Sequence, residues 1–183
     1  MRITLRALLA ALLLGAGALL AAPPEEGKPA PAFDAPATSI TTVLPDAKDA
    51  KTLNLKQFEG KKNVVLFFYP KALTKGCTIE SCGFRDKVAE FAKLDTVIIG
   101  ASTDTVAKQQ EFTDKEKLNF PLLADDGRKV GEAYGVLANP TANASRHTFV
   151  IDKKGVLRKA YTKVSPTDHP DEVLKFVKDN LVK

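Results

Sequence analysis

The chain has 183 residues, 44% of them hydrophobic and 27% charged, with a formal net charge of +5. That length is enough for one domain with a real core, and the composition is that of a soluble globular protein rather than a disordered or fibrous one. The basic residues are mostly lysines interleaved with Asp and Glu, a solvated mixed-charge surface that argues against a nucleic-acid-binding patch.

Arg2 and Arg6 precede an apolar run from Ala7 to Ala22, and Pro23-Pro24-Glu25-Glu26 follows it. A positive start, a short apolar stretch and small residues before a polar junction read as a secretory signal peptide over residues 1–22, with cleavage expected near Ala21 or Ala22. The run is short for a spanning helix, which needs about 20 apolar residues, so an uncleaved anchor is the competing reading. No cysteine stands at the junction, which excludes a lipid anchor there. The expected location is therefore periplasmic or secreted, with membrane contact only through that first segment. Residues 23–35, rich in Pro, Ala, Glu and Lys, read as an extended tether, and residues 36–183 as one folded domain.

Along the domain, Thr38 to Leu44 and Thr52 to Leu55 are expected to pair as a hairpin around Pro45-Asp46-Ala47-Lys48-Asp49. Val64 to Tyr69 is a continuous apolar run and reads as a buried strand. From Cys77 to Leu94 the spacing turns helical, with Phe84, Val88 and Phe91 at i, i+4, i+7. Thr96 to Ala101 is a second buried strand, and Asp104 is placed to cap a helix running to about Lys117 with Phe112 turned inward. A short extended segment at Asn119 to Leu123 and a short helix from Arg128 to Tyr134 follow. Arg146 to Asp152 and Val156 to Thr162 are strands joined at Lys153-Lys154-Gly155, and Asp171 to Leu181 is a closing helix with Val173, Val177 and Leu181 inward. Strand, helix, strand, helix, then a hairpin and a final helix give an α/β protein: a central mixed sheet flanked by helices, its first two long strands parallel through a right-handed crossover. That order is consistent with a thioredoxin-like fold.

Cys77 and Cys82 are the only cysteines. An oxidising compartment permits a structural bridge between them, but a core of this size does not need one. Cys77 is expected in the first turn of a helix that leaves a buried strand, where unsatisfied N–H groups favour an anion. Such a position can bring a thiol from pKa about 8.5 down to about 3.5–7.5, and the thiolate is the nucleophile. Pro70 sets the direction of the chain as it leaves the strand, Gly76 allows close backbone approach, and Thr74 can place its hydroxyl beside the sulfur or a bound oxygen. Five residues of α-helix advance about 7.5 Å and turn about 500°, so the two sulfurs lie on different faces. Bridged Cα atoms are usually about 4.4–6.8 Å apart; the pair can bond only if at least one turn unwinds. Gly83, a weak helix residue, is expected to ease that opening by about 1 kcal/mol relative to Ala. A pair that must rearrange to bond suits a reaction cycle better than a permanent staple.

The pattern Pro70-x-x-x-Thr74-x-x-Cys77 resembles the active-site signature of peroxiredoxins. The likeness extends through Phe68-Tyr69-Pro70-Lys71 and Cys77-x-x-x-x-Cys82-Gly83-Phe84-Arg85-Asp86. Gly100-Ala101-Ser102-Thr103-Asp104, Phe120 to Asp125 and Arg146 to Asp152 follow in the same order as in the bacterioferritin comigratory protein or Q-type branch. The resemblance covers roughly residues 30 to 183. It implies that Cys77 is the peroxidatic cysteine and Cys82 the resolving one, that Thr74 hydrogen-bonds the peroxide, and that Arg146 stabilises the thiolate and the charge developing on the peroxide oxygens. It also implies a monomer that reduces hydrogen peroxide and organic hydroperoxides, recycled by an external thioredoxin-like dithiol, with no metal, haem or flavin. Two features depart from the branch. Lys75 stands where Pro is usual, adding positive charge near Cys77, and the stretch Gly135 to Ser145 is short, which implies a more open wall beside Arg146.

Blander readings exist for each residue: a small core residue for Cys82, a plain helix cap for Thr74, a solvated ion-pair residue for Arg146, and surface or sheet-face positions for His147 and His169. Two other functions fit an exported protein of this fold. A thiol–disulfide relay usually carries Cys-x-x-Cys, absent here. A copper carrier would use two cysteines and a histidine, for which His147 is available, but its i, i+4 spacing puts both sulfurs on one helix face and the i, i+5 spacing here does not.

Overall fold

The computed structural model describes residues 21–182. The expected signal peptide lies outside them except for Ala21 and Ala22. Five strands form the central sheet: β3 (Asn63–Phe68), β4 (Thr96–Ser102), β5 (Leu122–Ala124), β6 (His147–Ile151) and β7 (Leu157–Tyr161), in the spatial order β5-β4-β3-β6-β7. β3 runs parallel to β4, and β4 to β5, while β6 and β7 are antiparallel additions. The mixed sheet expected from the order of elements is therefore present. β3 is central and buried along its whole length, which is why it reads as an unbroken apolar run rather than an alternating one.

The pleat sends alternate residues of β3 into two separate cores. Val64, Leu66 and Phe68 face Phe33, Ile40, Leu53, Phe58, Tyr134 and Phe149. Val65, Phe67 and Tyr69 face Phe84, Phe91, Phe112, Phe120, Val173 and Val177. The second face is covered by α1 (Lys75–Lys93), α2 (Val106–Glu116) and α4 (His169–Asn180); α3 (Lys129–Ala133) serves the first. Phe84 and Phe91 are fully buried, and Phe84 stacks on Phe67 at 4.6 Å between ring centres, as the helical periodicity anticipates.

Three local expectations are corrected. The first hairpin pairs β1 (Asp34–Pro36) with β2 (Thr52–Asn54), and Ile40–Thr42 is a 3₁₀ turn rather than part of a strand. Pro36 is tolerated because this two-stranded ribbon is all edge. The cap of α2 is Thr105, whose hydroxyl accepts from Lys108 N at 3.4 Å; Asp104 turns elsewhere. His169 is not a surface residue: it is buried at the start of α4, with Nε2 2.8 Å from Thr148 Oγ1 and its ring edge-on to Phe84 and Tyr161.

The stretch read as a tether is extended and is also joined to the sheet. Gly27 N donates to Leu157 O at 2.7 Å, Leu157 N to Lys28 O at 2.9 Å and Ala30 N to Gly155 O at 2.9 Å, so the strap 25–31 closes the outer edge of β7. Glu26 Oε1 accepts from Ala160 N at 3.0 Å, and the Tyr134 hydroxyl donates to Pro31 O at 2.7 Å. No helix among the described residues is long and apolar enough to cross a membrane.

Candidate active site

The carboxyl ends of β3 and β4 open onto a short loop, residues 70–74, that leads into α1. Pro70 is half-buried where β3 ends, Ala72 is buried, and Leu73 takes a left-handed backbone conformation with φ 65°. That turn lets Thr74 act as the N-cap residue of α1, with Thr78 N donating to Thr74 O at 2.9 Å. Cys77 is the third residue of the helix, among the N–H groups that have no partner inside it. Its side chain is fully buried.

Arg146, just before β6, reaches across to Cys77. Its Nη2 donates to Cys77 Sγ at 3.3 Å, and its Nη1 donates to Glu80 Oε2. One planar guanidinium thus bridges the sulfur and a carboxylate from the next turn of the same helix. The space it occupies is left by Gly76, where a Cβ would stand 3.3 Å from Arg146 Nη2. Burial works against the charge on Arg146, but the neighbouring Glu80 and Cys77 outweigh it and hold the guanidinium protonated. Glu80 is fully buried, and burial pushes its carboxyl up to about 7 against the pull of Arg146. Its second oxygen, Oε1, has no hydrogen-bond partner among the described residues.

Four of the five expected site residues, Pro70, Thr74, Cys77 and Arg146, are brought together here; Cys82 is not. Thr74 is exposed and its hydroxyl donates to Lys71 O at 3.0 Å, so its proton is engaged within the loop rather than with the sulfur. Cys82 is half-buried on another face of α1, where its thiol points at Glu116 Oε2 at 3.8 Å, at the end of α2. Burial, followed by the negative charge of Glu116, raises its pKa despite nearby Arg85. Both cysteines are free, with α1 intact between them. The short stretch beside Arg146 folds back on itself: Ser145 N donates to Val136 O at 2.7 Å, and Arg128 donates to Ala142 O at 3.3 Å and to Thr141 O at 3.4 Å. Lys75 is exposed at the first position of α1. Glu80 escaped the sequence reading. Its position one turn after Cys77 is the signal that could have found it, because a carboxylate on that face must meet whatever cation faces the sulfur.

Chemically, the fixed Arg146 guanidinium and the free N–H groups of the helix start are placed to stabilise negative charge that develops beside the Cys77 sulfur. The same guanidinium opposes a cuprous ion on that sulfur, and Cys82 faces away from it.

The chain is similar to known proteins over most of its length. The AhpC/TSA family model matches residues 27–160. The chain is 44% identical to Peroxiredoxin Bcp of Bacillus subtilis over 135 residues, covering 70% of this chain and 85% of that protein. It is 40% identical to the chloroplastic Peroxiredoxin Q of Populus jackii over 132 residues, covering 71% of this chain and 62% of that one. Among solved structures, Peroxidoxin BcpB from Mycobacterium tuberculosis superposes with a TM-score of 0.74 at 31% identity, over 85% of this chain and 97% of that chain.

Proposed function

Since the chain belongs to the AhpC/TSA family, as a Bcp- or Q-type peroxiredoxin and hence a thiol-dependent peroxidase, we propose that Cys77 is the sulfur that attacks the peroxide and Cys82 the one that resolves it. The supporting observation is the 3.3 Å contact from Arg146 Nη2 to the buried Cys77 Sγ in the first turn of α1. In the first step the Cys77 thiolate attacks one peroxide oxygen. An S–O bond forms as the O–O bond breaks, leaving Cys77 as the sulfenic acid, and the leaving oxygen takes up the proton that the thiol gave up on ionising and departs as water or an alcohol. Charge moves onto that oxygen in the transition state, where the Arg146 guanidinium and the helix N–H groups oppose it. Thr74 orients the peroxide by exchanging its bond to Lys71 O for one to the substrate.

The sulfenic acid then condenses with Cys82, releasing water and forming the Cys77–Cys82 disulfide. Because the thiols sit on different faces of α1, this step requires the helix to open between them. An external thiol reductant, which we take to be a thioredoxin-like dithiol, restores both thiols by exchange. The substrates are hydrogen peroxide and organic hydroperoxides, and the working form is a monomer. Residues 1–22 act as a signal peptide that delivers the enzyme to the periplasm or beyond; Arg2, Arg6 and the apolar run support that reading.

Intact mass after one equivalent of hydrogen peroxide tests the cycle. Wild type should lose two hydrogens, Cys82→Ser should hold a trappable sulfenic acid, and Cys77→Ser should not react. A Cys77 that stays reduced in folded wild-type protein refutes the assignment.

A further inference from the structure

The loop that delivers Cys77 is held by a partly buried polar network that none of the expected site residues belongs to. Its key carboxylate is Asp104, immediately before the cap of α2. Asp104 Oδ2 accepts from the backbone N–H of Ala72 at 2.7 Å and from the Ser102 hydroxyl at 2.7 Å. Ser102 Oγ in turn accepts from Gln109 Nε2 at 3.0 Å and from Asp104 N at 3.2 Å. Gln109 Nε2 also donates to Leu123 O at 2.8 Å, and Gln109 Oε1 accepts the hydroxyl of Tyr69, the last residue before the loop. Tyr69 and Gln109 are fully buried and Ser102 nearly so. The network thus ties the ends of β3, β4 and β5 and the first turns of α2 to one backbone donor in the loop.

That donor is well placed to matter. Ala72 precedes the left-handed Leu73, which precedes the N-cap Thr74, which sets the start of the helix carrying Cys77. A left-handed non-glycine residue is held only where its surroundings over-determine it. The 2.7 Å bond that the Ala72 N–H donates to Asp104 Oδ2 restrains the residue just before Leu73 from outside the loop. Arg146 fixes the sulfur from the β6 side; Asp104 fixes the backbone that carries it from the β4 side.

We propose that Asp104 is a positioning residue for peroxide reduction: through Ala72 it holds residues 70–74 so that Thr74 and Cys77 present a correctly spaced pair to the substrate. The proposal rests on the assignment of Cys77 as the attacking sulfur. Both bonds end on one oxygen, Oδ2, so an asparagine can keep them, whereas alanine cannot. The role therefore belongs to the acceptor and not to the charge.

The test measures the single-turnover rate of Cys77 oxidation by hydrogen peroxide, followed by intact mass because the chain has no tryptophan, together with iodoacetamide alkylation of Cys77 at the same pH. Asp104→Ala should slow peroxide oxidation by of order tenfold to a hundredfold, the scale expected for a misplacement of about an ångström. Alkylation, which does not need the Thr74–Cys77 spacing, should change much less, and Asp104→Asn should recover most of the peroxide rate. Ser102→Ala, which removes one donor to the carboxylate and leaves the fold its backbone bonds, should slow oxidation in the same direction and provides the reading if Asp104→Ala does not fold. Wild-type oxidation rates in both Asp104→Ala and Ser102→Ala overturn the proposal. So does an Asp104→Asn protein as slow as Asp104→Ala at an unchanged melting temperature. Failure of wild type itself to be oxidised at Cys77 would instead refute the assignment beneath it.

Discussion

Glu80 couples the site to pH in a way that Cys77 alone would not. Burial holds its carboxyl at about 7 in the folded protein against an ordinary 4.5. The native state therefore keeps a proton that the unfolded chain releases, and the stability this adds is complete below pH 4.5 and lost as the pH rises through about 7. His169 works the other way. Burial lowers its pKa below 6.5 even though Glu172 supports its charged form, so the unfolded chain takes up the proton first and stability falls as the pH drops below 6.5. Glu80→Gln removes the first slope and leaves the second. The urea midpoint of that variant minus that of wild type should rise as the pH goes from 4.5 to 7, the variant keeping the His169 slope below pH 6.5 and staying flat above it where wild type falls. A variant whose midpoints track wild type across that range would show that Glu80 does not titrate there. The signature around Cys77 was legible because each of its residues has a local job in the loop or helix start. Glu80, Asp104 and Gln109 were not, since their partners Arg146, Ala72 and Tyr69 are brought to them by the sheet and not by nearby sequence.

At the scale of elements, α1 must be stable enough to hold Cys77 and weak enough to release it. Gly83, expected to lower the cost of opening, has a second reason to be glycine: a Cβ there would stand 2.8 Å from Pro170 Cγ, where α1 meets α4. The proline ring cannot swing aside as a long side chain would. Gly83→Ala should thus destabilise the protein by about 1–3 kcal/mol through overpacking, more than the ~1 kcal/mol gained in helix propensity, and should lower the melting temperature. The weakness between the cysteines lies instead in Glu80 Oε1 and Ser81 Oγ, buried and without hydrogen-bond partners among the described residues. Each such atom costs about 1–3 kcal/mol that solvation on unwinding returns. Ser81→Ala removes one of them. It should slow disulfide formation after the sulfenic acid appears, by at least about fivefold for a 1 kcal/mol gain, while leaving the peroxide step unchanged. Equal second-phase rates in stopped mass measurements would rule this out. Helix periodicity located α1 to within two residues, but the neighbour of Gly83 is Pro170, 87 residues further along the chain, a tertiary fact that no spacing encodes.

For the molecule as a whole, the strap 25–31 is the part that composition described least well. Its Pro, Ala and Glu content reads as linker, yet its backbone hydrogen bonds close the edge of β7 and its carbonyl at Pro31 receives Tyr134. The family match beginning at residue 27 runs through the same segment. Removing residues 1–24 should leave the melting temperature unchanged, whereas removing residues 1–32 should lower it by several degrees and expose a strand edge prone to self-association. Calorimetry with light scattering distinguishes the two; identical behaviour of both truncations would mean that the strap contributes nothing to the fold. The central sheet was legible because buried parallel strands leave long apolar runs. The strap was not, because a chain that pairs through its backbone needs no particular side chains to do so.

The path of that strap has a practical side. From Ala30 beside the β6–β7 turn it runs back along β7, until Ala22 lies against Gly135, adjacent to the Val136 that pairs with Ser145. Ala22 therefore stands at the same end of the sheet as Arg146 and Cys77, on the opposite face. Anything fixed to the protein at residues 22–24, whether a purification tag, a sensor surface or a bilayer, is held at the catalytic end of the sheet, behind the face that carries Cys77. Attachment through the carboxyl end of α4, at the far end of the molecule, leaves the approach for peroxide and reductant clear.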